Sequence, residues 1–233
     1  MSSVATTSLL SRLSSLYPKR SDGLVNPWSM ITCVALAASN CPEAIPNVYR
    51  FATSELPKDD DATQMALTRK IRDGIFKAGL TCGYAKAINA LVELHNVVPE
   101  RFRETAPIRN INTSMSELYD KGQNFFDTTY GDTTKPVQTL LREIYPDMEL
   151  FSTAIGYGLV YSEPTAHTPA ETSYCLVAGF IASDVPRQIG WHIAGALRNG
   201  ATLSEVKAVR EIAIIVAKEA GVISKHSVPE VQE

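Results

Sequence analysis

A chain of 233 residues with 45% apolar side chains can bury one sizeable core or two small ones. Its 25 acidic and 22 basic residues are mixed along the sequence and leave a net charge of -3, which gives no electrostatic ground for nucleic acid or an anionic membrane as a partner. No apolar run reaches the roughly 20 residues of a membrane span, and Cys33, Cys41, Cys82 and Cys175 have neither metal-ligand nor disulfide-scaffold spacing, so free thiols in a reducing compartment are expected.

In chain order, residues 1 to 20 lack acids and are rich in Ser and Leu, as organellar transit peptides are. The stripe of Leu9, Leu10, Leu13, Leu16 and Tyr17, followed by Pro18 and Gly23, reads better as a first structural helix and its turn. The expected location is therefore cytoplasmic, with mitochondrial as the alternative. Val231-Gln232-Glu233 is not a peroxisomal address of the Ser-Lys-Leu type. Pro27 opens a second, apolar helix from about Trp28 to Ser39, and a third spans Pro42 to Leu56. Asp59, Asp60 and Asp61 lack the twelve-residue spacing of a calcium loop and read as a solvated loop capping the next helix. Helices then cover Ala62 to Gly79 and Gly83 to Asn96. The proline-bearing stretch from Val97 to Thr113 reads as a linker dividing an N-terminal helical half, 1 to 106, from a C-terminal half, 107 to 233.

Ser114 and Glu117 form a capping box for a helix through Tyr130, and further helices cover Asp132 to Tyr145 and Met148 to about Tyr161. The loop SEPTAHTPA, 162 to 170, reads as a lid with a solvated His167. The next helix, from Glu171 to about Ile181, carries Glu171 and Cys175 on one face at a spacing of four. Asp184 offers an N-cap to a helix in which Pro186 occupies the first turn. Along it Gln188 and His192 share a stripe flanked by Trp191. Asn199-Gly200 closes that helix, and Thr202 with Glu205 opens the last. Every strong periodicity is near 3.6 and no hairpin signal separates alternating segments, so the predicted fold class is all-α.

The segment from Glu171 through His192 to Gly200-Ala201-Thr202-Leu203-Ser204-Glu205 resembles the carboxymuconolactone decarboxylase and alkyl hydroperoxidase D superfamily, in particular its fungal members without a redox cysteine pair. Where the hydroperoxidase branch has C-x-x-C, this chain has Val185 and Gln188, which form no thiolate. The resemblance implies an alkyl hydroperoxidase D-like helical fold and a homo-oligomer. Laid without gaps on the second half, Asn89 falls on His192, Asn96 on Asn199 and Thr68 on Glu171, so the halves read as an internal duplication whose first copy is degenerate.

The function this implies is a cofactor-free lyase, decarboxylase-like or isomerase-like, acting on a small unsaturated lactone or keto acid, with no metal. Glu171 and His192 are the expected catalytic pair for proton transfer. Gln188 and Arg187 are expected to hold a substrate carboxylate or carbonyl. Trp191, Tyr174 and Tyr157 would supply flat walls, with Cys175 on the face of Glu171. One alternative is a thiol-dependent peroxidase using Cys175 or Cys82, the latter in a secondary site with Tyr84 and Asn89. A catalytically silent helical oligomer is the other.

Overall fold

The computed structural model describes residues 4 to 232. Met1 to Ser3, where the transit-like stretch begins, and Glu233, where the terminal tripeptide ends, lie outside the described residues. Among the described residues the chain is all-helical and contains no strand.

Four helices make the centre. Helix α1 (Thr7–Leu16) leads into α2 (Trp28–Ala38), whose eleven residues are all buried. A helix apolar on every side has no solvent face to keep, so it must be surrounded. Its neighbours are α4 (Asp61–Cys82), α9 (Pro169–Ala182) and α11 (Leu203–Glu219), which also pack on one another through α9. Both halves of the chain thus share one apolar cluster. Helices α3 (Ile45–Ser54) and α5 (Tyr84–Val97) pack on each other beside this centre. Gly83 separates α4 from α5 with φ of +121°, a conformation open to a residue without Cβ.

The second layer holds the site. Helix α6 (Met115–Tyr130) packs on α10 (Pro186–Arg198) and, most extensively, on a π-helical segment, Phe151–Tyr161, that continues α8 (Pro146–Leu150). Helix α7 (Thr134–Ile144) packs against α8. Two glycines allow the close approach of α6 and the π segment. A Cβ at Gly122 would collide with the Thr153 carbonyl, and one at Gly158 with the Leu118 carbonyl.

Two local expectations are corrected. The 162 to 170 loop is fastened down, and His167 is 2% exposed. Its Nε2 donates to the Lys70 carbonyl at 2.9 Å, and its Nδ1 lies 3.3 Å from Asp73 Oδ2. Lys77 pins the same loop by donating to the carbonyls of Tyr161 and Glu163. Asp184 is not the N-cap of α10. It takes a left-handed φ of +55° and accepts the Lys225 N–H at 2.7 Å, leaving Val185 at the cap position.

Candidate functional site

A cavity of about 280 Å³ lies between the π segment, α6, α9 and α10. Its polar centre is a Tyr157–His192 couple, Oη to Nε2 at 3.1 Å. His192 Nδ1 lies 2.9 Å from the Gln188 carbonyl, which only accepts, so the ring proton sits on Nδ1 and Nε2 accepts from the tyrosine hydroxyl. Burial pushes the imidazole down to about 4 and the Tyr157 phenol well above its ordinary value. The couple is therefore neutral at physiological pH. Aromatic rings enclose it. Tyr130 stacks on Phe126 with centroids 4.2 Å apart, Tyr161 stands edge-on to Tyr157 at 5.2 Å, and Phe180 lies 4.9 Å from the imidazole. Trp191 adds its indole beside Tyr130. No charged side chain lines this cavity among the described residues.

The expected pair is not assembled. Glu171 belongs to a different environment, because α9 begins two residues earlier than expected and Glu171 is the third residue of a Thr168 capping box. Its Oε2 accepts the Thr168 N–H at 3.0 Å. Its Oε1 accepts from Arg20 at 2.8 Å and from Lys70 at 2.6 Å. Both oxygens are spent on structure and neither faces His192, whose ring nitrogens are satisfied by Tyr157 and Gln188.

Of the other expected residues, Tyr157, Gln188 and Trp191 line the cavity with His192. Arg187 is exposed and outside it. Tyr174 is buried edge-on against Tyr17, with centroids 6.2 Å apart. Cys175 is fully buried, its Sγ directed at the Glu171 carbonyl and Met30, and burial pushes the thiol up to about 12. Cys82 ends α4 instead of starting a helix. Burial raises its pKa against the opposing pull of Lys86. Tyr84 and Asn89 are on exposed positions of α5. Phe126, Tyr130, Tyr161 and Phe180 also line the cavity, and the sequence does not single them out because their spacing is that of any buried helical face.

No family model matches the chain. It is similar over most of its length to two yeast proteins, each named Peroxisomal protein 2. The one from Schizosaccharomyces pombe is 28% identical over 209 residues, covering 88% of this chain and 92% of that protein. The one from Saccharomyces cerevisiae is 25% identical over 286 aligned residues, covering 98% and 99%. These relatives correct the function expected from the sequence. Both are named for the peroxisome, and neither name is that of a decarboxylase-like lyase, an isomerase or a thiol peroxidase. No helix among the described residues is long and apolar enough to cross a membrane.

Proposed function

We propose that this chain is a peroxisomal protein that binds a small, flat, uncharged molecule bearing one hydroxyl in the Tyr157–His192 cavity. The observation that carries the ligand class is the neutrality of the couple inside an aromatic enclosure without charged lining. Tyr157 donates its proton to His192, so its oxygen is an acceptor shared between the neighbouring Tyr130 hydroxyl and a hydroxyl from the guest. A carboxylate would be stranded there without a counter-ion, at a cost far above one hydrogen bond. The location is supported by the two relatives, both named for the peroxisome. Self-association into a homo-oligomer belongs to the same proposal and rests on the exposed apolar stripe of α5, formed by Tyr84, Ile88 and Val92.

Calorimetric titration with p-cresol, and with benzoate as a charged counterpart of similar size, tests the ligand class. Saturable binding of p-cresol is expected, about tenfold or more tighter than benzoate and weakened in Tyr157→Phe. Equal affinity for benzoate, or no binding of p-cresol, rejects it. A fluorescent fusion expressed in budding yeast should coincide with a peroxisomal marker, and a diffuse signal rejects the location.

A further inference from the structure

A second cavity, of about 360 Å³, lies outside the Tyr157–His192 site and is lined from α4, α5 and the stretch 103 to 109. Its size is within the roughly 300–1,000 Å³ of small-molecule pockets. Phe76, Leu91, Leu94 and Ile108 give it an apolar wall, and four guanidinium groups stand around that wall.

The protein's own carboxylates do not satisfy this charge. Glu104 is held by Arg69 at 2.6 Å, with Arg72 Nη1 at 3.9 Å, beyond hydrogen-bond reach. Asp73 is held by Arg109 at 2.8 Å and has Lys77 at 3.7 Å. Four cations thus share two carboxylates, and a fifth, Arg103, reaches neither. Among the described residues Arg103 donates to the main-chain carbonyls of Val98 and His95 and to no carboxylate. Arg72 donates to the Phe102 carbonyl through Nη2, while its Nη1 is buried and has no hydrogen-bond partner among the described residues. Arg109 lies 4.5 Å over the Phe76 ring, which joins the charged and apolar surfaces into one wall.

Arg72 is partly buried and shares Glu104 with Arg69, and Arg103 has no carboxylate partner among the described residues, so an entering anion supplies negative charge that the protein itself does not. A guanidinium fork matches the two oxygens of a carboxylate or phosphate. We infer that this cavity binds a small organic acid, its oxyanion head held by Arg72 and Arg103 and its short apolar body laid against Phe76, Leu91 and Ile108. Such a site selects for charge, whereas the Tyr157–His192 cavity selects against it. The two sites would therefore take different molecules, and this inference does not depend on the other cavity's ligand.

Calorimetry of the full chain with octanoate, octyl phosphate, octanol and inorganic phosphate tests this. Octanoate or octyl phosphate should bind at one site, the tighter of the two telling whether the head is a carboxylate or a phosphate ester. Octanol and inorganic phosphate should each bind at least about tenfold more weakly. Arg103→Gln and Arg72→Gln should each weaken the anionic amphiphile by about tenfold, while His192→Phe should leave it unchanged. If one arginine variant fails to fold, the other still decides. The inference is overturned if neither acid binds, if octanol or inorganic phosphate binds as tightly, or if affinity follows His192→Phe and ignores the arginine variants.

Discussion

At the scale of single residues, the fate of Glu171 and His192 turns on what each side chain must satisfy once buried. Glu171 reads in sequence as a free acid on an apolar helix, but Thr168-Pro169-Ala170-Glu171 is a capping box, and the cations that complete it come from Arg20 and Lys70, 151 and 101 positions away. Pairing at that separation leaves no local signal. His192 was legible as a buried polar residue, and its neutrality carries a measurable consequence. In the unfolded chain its pKa is near the ordinary 6.5, and in the folded chain it is about 4. The unfolded state therefore binds more protons between those values, so stability is full above the upper one and falls as pH drops toward the lower. The difference corresponds to about 3 kcal/mol. His167, whose pKa burial also lowers, acts in the same direction. Urea midpoints measured from about pH 7 to pH 4.5 should show this decline, and His192→Gln should flatten part of it. An undiminished slope in the variant would mean that this imidazole protonates as freely folded as unfolded.

Among elements, the contact between α6 and the π segment decides whether the cavity exists, since it brings Phe126 and Tyr130 against Tyr157. Substituting Ala at Gly122 or Gly158 places a methyl on a main-chain carbonyl, which cannot rotate away as a side chain could. Each change should cost roughly 1–3 kcal/mol by overpacking and weaken p-cresol binding as the aromatic wall shifts. Gly190→Ala is the matched comparison, because nothing lies within 4 Å of the added carbon. It should be neutral or slightly stabilising through helix propensity. Thermal melts of the three variants separate steric from propensity effects. The positions of the helices were legible in the sequence wherever a cap or breaker marks an end, as at Ser114, Asn199-Gly200 and Thr202. The π geometry of Phe151–Tyr161 was not, because it needs the packing of α6 to hold it and has no composition of its own. For the same reason the 162 to 170 loop read as a lid. Its anchors, the Lys70 carbonyl and the Lys77 ammonium, belong to another helix.

On the scale of the whole molecule, the unpartnered apolar surface lies on helices that sequence periodicity treats as ordinary amphipathic faces. On α5, Tyr84, Ile88 and Val92 recur every fourth residue at 75%, 43% and 51% exposure. Residues four apart share one helix face, so these side chains form a strip instead of scattered points. Isolated exposed apolar residues need no explanation, but a continuous strip is the usual mark of a buried contact with another molecule. If a second copy of the chain covers α5, light scattering behind size exclusion should give a mass that is a multiple of 25.4 kDa. Ile88→Glu puts a carboxylate at the middle of the strip, where burial without a partner is costly. That variant should run as a monomer with an unchanged circular dichroism spectrum, since Ile88 packs little within its own chain. A wild-type chain already monomeric at about 100 μM would leave the strip free for another kind of partner, because symmetric contacts of useful size bury roughly 1,200–2,000 Å² and hold well below that concentration.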